Sequence, residues 1–521
     1  MFKSLSTRLA RDFDHLSAKA KRTIALSSEG AKACALAELA LYARNNAKRL
    51  VLVADNAADC LRLTDEIRYF APQLRTEYFP DWETLPYDSL SPHQDLVSDR
   101  LQILYRLGLP MSDSEAIDVL ITHCVTASQT IAPPSYLKGR LFFFKTGQEF
   151  NPEALRARLI EAGYEHVSQV VAPGEFSVRG GLIDIFPMGE NQPLRLDLFD
   201  NEIDAIRRFD IDSQRSLEKV DEVRILPGRE YPVETQSLTH FRTRWRETFT
   251  GDPSKVSLYK DMANGIVGPG VEYYLPLFFD ERSTLFDYLD PELSIVGLLG
   301  DIDVALHRFF EETTQRYRFL SADTARPVLP VDSLYLNPEA FFVSLKPFVR
   351  FQATNEDLPR TTKSGAVLVD RKSDNPIKNL LLLLDSERLS HHRVLIMATS
   401  VGRRETLAQL FERNGLKLPY VDSFDAFIEA DASAMLSFGP LIEGFTLEGI
   451  TVLTESELYA TPVRRSLRRR QKTTNVDLMI RDLAELKIGD PVVHIKHGIG
   501  RYAGLEIIDT GYGQEEFLRL D

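Results

Sequence analysis

The stretch RLVLVAD, Arg49 to Asp55, decides the fold of the first part of the chain. It is a short continuous apolar run, as a strand buried on both faces of a parallel sheet requires. Before it, residues 31–45 (AKACALAELALYARN) have helical spacing and composition, and after it AADCLRLTDEIRYF reads as a second helix. Residues 95–108 read as helix again, and DVLITH, Asp118 to His123, as another buried strand. Strands alternating with helices predict a parallel sheet joined by crossover helices.

The pattern then changes. After one predicted helix, PEALRARLIEAGY (Pro152 to Tyr164), come the short alternating runs HVSQVV, EFSVRGG, LIDIFP, LRLDLF and EIDAIRRFD, separated by Gly, Pro, Asn and Asp. They predict a small, largely antiparallel α+β domain over residues 141–228. It interrupts an α/β domain made of residues 1–140 and 229–350. A further α/β unit is expected over 351–463. There HRVLIMATS is a strand, RRETLAQLFERNG a helix stopped by Gly415, and GITVLTESEL a strand followed by a turn. The run RRSLRRRQK at 464–472 falls in an expected basic linker, 464–478. Such a run is either a solvated surface or a contact for nucleic acid or an acidic partner. Residues 479–521 have short Gly-punctuated strands and predict a small β-barrel. Its strand-like alternation stops at Asp521 without a closing turn, so the barrel is expected to be truncated and the chain to be the front part of a longer protein.

Composition narrows the function classes. At 521 residues the chain is too long for one core, and 44% apolar with 26% charged residues is ordinary globular composition. With 62 Lys and Arg against 76 Asp and Glu, the net charge of −14 is wrong for a general nucleic-acid binder. Cys34, Cys60 and Cys124 are odd in number and too widely spaced for a metal clip or a disulfide framework. The N-terminus lacks a signal-peptide core, and the longest aliphatic run, Leu380 to Leu384, cannot span a bilayer. A soluble, cytoplasmic protein that does not engage membranes is expected.

Catalytic chemistry is expected to be absent. A phosphate-binding loop needs flexible glycine around a lysine followed by Ser or Thr. Before the first buried strand the sequence is SSEGAKACA, with Gly30 alone and Lys32 followed by Ala33. The metal-holding acidic pair after a second strand is also missing, since LSIVGLLGD (Leu293 to Asp301) places Gly297 and Leu298 there. Adjacent His391 and His392 point apart on any regular element, and His494 and His497 have no thiol or carboxylate near them in sequence, so no metal is expected. No serine stands in a GxSxG elbow. Asp197, Asp200, Glu202 and Asp204 read as a solvated face.

The informative motif is PLRLDLFDNEIDAIRRFD. Strand side chains alternate faces, so Leu194, Leu196 and Leu198 share the core side while Arg195, Asp197 and Phe199 share the other. An aromatic beside an arginine on a polar face has the composition of a binding hot spot. Arg179, in SVRGG, lies on a neighbouring strand-like run, and Gly180 and Gly181 allow a tight bend there. The alternative is that Phe199 packs under a loop or the helix at 152–164 with Arg195 covering it.

GEFSVRGGLIDIFPMG followed by LRLDLFDNEIDAIRRFDIDSQRS closely resembles the bacterial transcription-repair coupling factors (Mfd) and their relative UvrB. Upstream, PDWETLPYDSLSPHQDLVSDRLQILYRL resembles the coupling-factor form of the first domain, without UvrB's DNA-gripping hairpin. Downstream, NVDLMIRDLAELKIGDPVVHIKHGIGRYAGLE resembles the start of the family's RNA polymerase-interacting domain. The resemblance implies a UvrB-like front half that has lost ATP binding. Its inserted domain binds UvrA, the damage-recognition ATPase of nucleotide excision repair, through residues that fall on Arg179, Arg195 and Phe199. It further implies a contact with the polymerase β subunit by strand addition at Gly504, Leu505, Glu506, Ile507 and Ile508. ATP, magnesium and most DNA contact belong to a helicase-type motor that this sequence lacks. Two other classes remain, a DNA-binding module acting through Arg464–Lys472 and a nucleotide-dependent DNA enzyme.

Overall fold

A computed structural model describes residues 9, 22–25, 29–149, 151–199, 202–354, 361–363, 367–370, 373–459, 491–494, 498–509 and 514–520, the last three as backbone pairing. The chain forms two compact units, Met1–Arg465 and Ser466–Asp521.

The first unit is built on a parallel sheet. β1 (Arg22–Ala25), β2 (Arg49–Ala54), β3 (Thr76–Phe79), β4 (Val119–His123), β13 (Ser294–Leu299) and β14 (Val349–Thr354) lie in the order β1-β14-β13-β2-β4-β3. Every neighbouring pair in it runs parallel. β2 and β13 are buried along their whole length, which is why both appear in the sequence as continuous apolar runs. Asn56 starts the crossover helix Ala57–Phe70 by accepting a hydrogen bond from the Ala58 amide at 2.8 Å. β14 runs across residue 351, the expected boundary, and pairs with β13 in the sheet of the first domain. β14 is only half buried, and its polar Arg350 and Gln352 hide it from an apolar-run search.

The insert leaves and rejoins this body through one ribbon. β5 (Phe142–Lys145) pairs antiparallel with β12 (Glu222–Ile225). Beyond the ribbon, the helix Pro152–Glu161 precedes a six-stranded sheet of order β11-β10-β9-β8-β7-β6. Its strands are β6 (Glu165–His166), β7 (Glu175–Arg179), β8 (Leu182–Ile185), β9 (Leu194–Phe199), β10 (Glu202–Phe209) and β11 (Ser216–Val220). All pairs are antiparallel except β6 with β7. The run HVSQVV contributes only His166 to the two-residue β6, and the chain bends away after Val167, whose amide still donates to the Phe176 carbonyl at 2.9 Å.

The insert is fastened to the body. The Gly189 amide donates to Ser98 Oγ at 2.7 Å on the helix Gln94–Leu107. Within the insert, Tyr164 Oη donates to the Leu226 carbonyl at 2.8 Å and accepts from the Met188 amide at 3.1 Å, tying the chain just after the insert's first helix to the end of its exit strand. One apolar cluster runs from Val51 and Leu120 of the parallel sheet to Phe176, Leu196 and Ile206 of the insert. Beside it Arg100 and Glu230 form a fully buried ion pair at 2.5 Å, to which Trp82 Nε1 adds a hydrogen bond at 3.2 Å.

A mixed sheet follows: β15 (Thr361–Lys363), β16 (Arg393–Ala398), β17 (Ala434–Phe438), β18 (Phe445–Leu447) and β19 (Ile450–Thr454), in the order β15-β18-β19-β16-β17. It shares a core with the first sheet. Phe424 packs edge-on against Phe70 at 5.0 Å and Tyr69 at 6.2 Å on the helix Ala57–Phe70. A Cβ at Gly439 would stand 2.6 Å from Met397 Sδ and 3.2 Å from the Tyr69 ring, so the two layers touch closely here. After β19 the chain forms the short helix Glu455–Tyr459 where the sequence reading placed a turn.

In the second unit β20 (Pro491–His494), β21 (Gly498–Asp509) and β22 (Gln514–Leu520) form an antiparallel sheet of order β20-β21-β22. Among the described residues no helix is long and apolar enough to cross a membrane.

Candidate protein-docking face

β7 and β8 meet in a two-residue hairpin at Gly180 and Gly181, with Arg179 paired to Leu182. Gly180 takes φ +59°, the left-handed value that such a turn demands. The pairing register then places side chains in rows across the outer face. One row runs Ser177, Asp184, Arg195, Arg207 and Lys219 over β7 to β11. The next holds Arg179, Leu182 and Asp197.

The predicted trio lies on this one face but in three different environments. Phe199, at the end of β9, is 74% exposed, so it does not pack under a loop or helix. Arg179 has a half-exposed side chain. Arg195 has only 13% of its side chain exposed. It covers an aromatic ring, as the sequence suggested, but the ring is Phe209, 4.7 Å from its guanidinium carbon, and not Phe199.

The link between the two arginines is Asp184, which the sequence reading missed. Its side chain is 1% exposed. Arg195 grips it with a two-pronged fork, Nε to Oδ1 at 2.7 Å and Nη2 to Oδ2 at 3.0 Å. Arg179 Nη2 donates to the same Oδ2. The remaining Arg195 nitrogen, Nη1, donates to the Gln214 carbonyl at 3.1 Å and Ser216 Oγ at 3.4 Å. These hydrogen bonds to Asp184 raise the Arg195 guanidinium above its ordinary pKa. In the adjoining pair Arg207 Nε donates to Asp197 Oδ2 at 3.0 Å. Asp197 is therefore paired, while Glu202 and Asp204 are exposed and Asp200 lies outside the described residues. The signal for Asp184 was present in LIDIFP, where an acid interrupts an apolar strand; a carboxylate buried there demands a cationic partner.

Gly30 and Lys32 lie in the first turn of the helix Glu29–Asn45, directly after edge strand β1. Gly297 is central in β13, and a Cβ there would stand 2.5 Å from Phe351 Cζ and 3.0 Å from Leu52 Cδ2. Leu298 is 2% exposed. At this end of the sheet Asp55 Oδ2 accepts the Asp301 amide at 2.7 Å, and Asp301 caps the helix Ile302–Leu320. Two carboxylates thus occupy the loops where phosphates bind in open α/β sheets.

His392 Nδ1 lies 2.8 Å from Glu387 Oε2, and among the described residues no group of three or more His, Cys, Asp or Glu could hold a metal. His497 and the run 464–472 lie outside the described residues, as does the His494 side chain. The segment Gly504 to Ile508 is the second half of β21. It pairs with β22 from Gly504 opposite Arg519 to Ile508 opposite Glu515. β20 reaches only Gly498 to Arg501, so among the described residues the other edge of 504–508 has no strand beside it.

The inserted sheet coincides with a known class of interaction domain: residues 142–231 match the UvrB interaction domain. Residues 388–458 match the "MFD, D3 domain" and residues 486–521 the "CarD-like/TRCF RID domain". The transcription-repair-coupling factor of Escherichia coli K12 is 37% identical over 493 residues, covering 92% of this chain and 42% of the relative. That of Haemophilus influenzae is 34% identical over 507 residues, 94% and 43%. That of Bacillus subtilis is 24% identical over 494 residues, 91% and 41%. The chain belongs to the transcription-repair coupling factor family and spans less than half the length of these relatives.

Proposed function

We propose that this chain is the recruiting, non-catalytic front half of a transcription-repair coupling factor. Its inserted sheet docks UvrA by presenting the face that UvrB presents, and the second unit contacts the RNA polymerase β subunit by strand addition at Gly504–Ile508. Nucleotide hydrolysis, DNA translocation and displacement of the polymerase fall to the rest of the protein. The observation that carries this reading is Phe199, 74% exposed on the same face as the half-exposed Arg179, on a sheet anchored to the body. An exposed aromatic and a cation on one face of a sheet have the composition of an interface anchor. The carboxylates of Asp55 and Asp301 at this end of the sheet support the absence of a nucleotide site, because a triphosphate needs a positive field.

Titration calorimetry of the chain with UvrA tests the proposal. Binding is expected without nucleotide, and Phe199→Ala should weaken it by at least about 1–2 kcal/mol. Full affinity in Phe199→Ala with the fold intact would remove this face from the interface.

A further inference from the structure

We propose that Arg195, Asp184 and Arg179 form a positioning relay in which only Arg179, with Phe199, touches the docked protein. The inference rests on the docking reading above. The family resemblance treats Arg179, Arg195 and Phe199 as equal members of one surface, whereas the structure separates them. Arg195 spends Nε and Nη2 on Asp184 and Nη1 on Gln214 and Ser216, and lies flat over Phe209. With 13% of its side chain exposed it has little left to offer a partner. Its fork instead fixes the rotation of the Asp184 carboxylate.

Asp184 then sets Arg179. Oδ2 receives both Arg195 Nη2 and Arg179 Nη2, so the Arg179 guanidinium is held by one corner. The rest of that planar fork is at the surface, where it can meet a carboxylate or carbonyl of the docking protein. Arg179 stands on the strand edge of the Gly180–Gly181 turn, where an unheld arginine would sample many rotamers. Holding it before contact removes part of the ordering cost of binding. A lysine cannot replace Arg195, because an ammonium has no fork to orient a carboxylate.

The test is UvrA affinity of the whole chain by calorimetry in two backgrounds, unaltered and Arg179→Ala, with thermal midpoints as a control for folding. Asp184→Asn and Arg195→Lys are each expected to weaken binding about tenfold in the unaltered background and less than about twofold in Arg179→Ala, since coupled residues are non-additive. Arg179→Lys should keep part of the affinity and Arg195→Lys lose it. Arg195→Lys decides the matter if Asp184→Asn does not fold, because it leaves the carboxylate a cation. Equal losses in both backgrounds, or unchanged or tighter binding, would overturn the relay. If Phe199→Ala still weakens binding in that case, the docking reading stands. Failure of the unaltered chain to bind UvrA would overturn both.

Discussion

Arg179 and Arg195 share one carboxylate and differ almost fourfold in exposure, 48% against 13%. Substitutions at the two sites should therefore read differently. Arg195→Ala leaves Asp184 buried with one cation fewer and should lower folding stability by about 3 kcal/mol, measured by urea denaturation. Phe199→Ala should leave the urea midpoint where it is. The three thiols make a second case. Cys34, Cys60 and Cys124 are fully buried, and burial pushes the Cys124 thiol up to about 12 and the other two upward as well. None should react with a disulfide reagent at pH 8 in the folded chain, and all three should react in denaturant. Side-chain alternation along LRLDLF was enough to place Arg195 and Phe199 on one face. It could not reveal Asp184, because that contact depends on which residue of β8 lies opposite Arg195, and register is a property of two strands.

At the level of elements, the legible strands of the parallel sheet were those buried on both faces, and those of the insert were the ones with clear alternation, β7 to β10. β2, β4 and β13 are apolar runs, and each was found. β14 and β3 alternate polar and apolar residues over a few positions and look like loop. The aromatic layer around Phe241, Trp245, Tyr274 and Phe278 was read only as mixed, since its residues come from one helix and a 3-10 segment far apart in sequence. Gly297 in β13 provides the sharpest test at this scale. Gly297→Val places carbon against Phe351 and Leu52 and should destabilise the chain by about 1–3 kcal/mol, the cost of overpacking. A neutral urea titration of that variant would show that the strand has room to spare.

Across the first unit, three sheets are joined through shared cores and not through linkers. The mixed sheet meets the helix Ala57–Phe70 through Phe424, Phe445 and Gly439. Removing the Phe424 ring should leave a cavity costing about 3–5 kcal/mol. Hydrogen exchange should then accelerate both in β16 and in the helix Ala57–Phe70. Acceleration confined to residues 393–454 would mean that the two layers open independently. Sequence alone suggested a separate unit from 351 onward because alternation of strands and helices says nothing about which faces are shared.

The ribbon of β5 and β12 also dictates an order of events during synthesis. The central parallel pairing joins Arg49 to Ser294, so the strand that completes the sheet emerges long after its neighbour. Closing so long a loop is entropically expensive and kinetically slow. The insert between them is an antiparallel meander of mostly local pairings and can form first. Once it has, Lys145 and Glu222 are held side by side, and the loop left to close is shorter by the residues between them, about a third of it. The docking sheet is thus also the shortcut by which its host assembles.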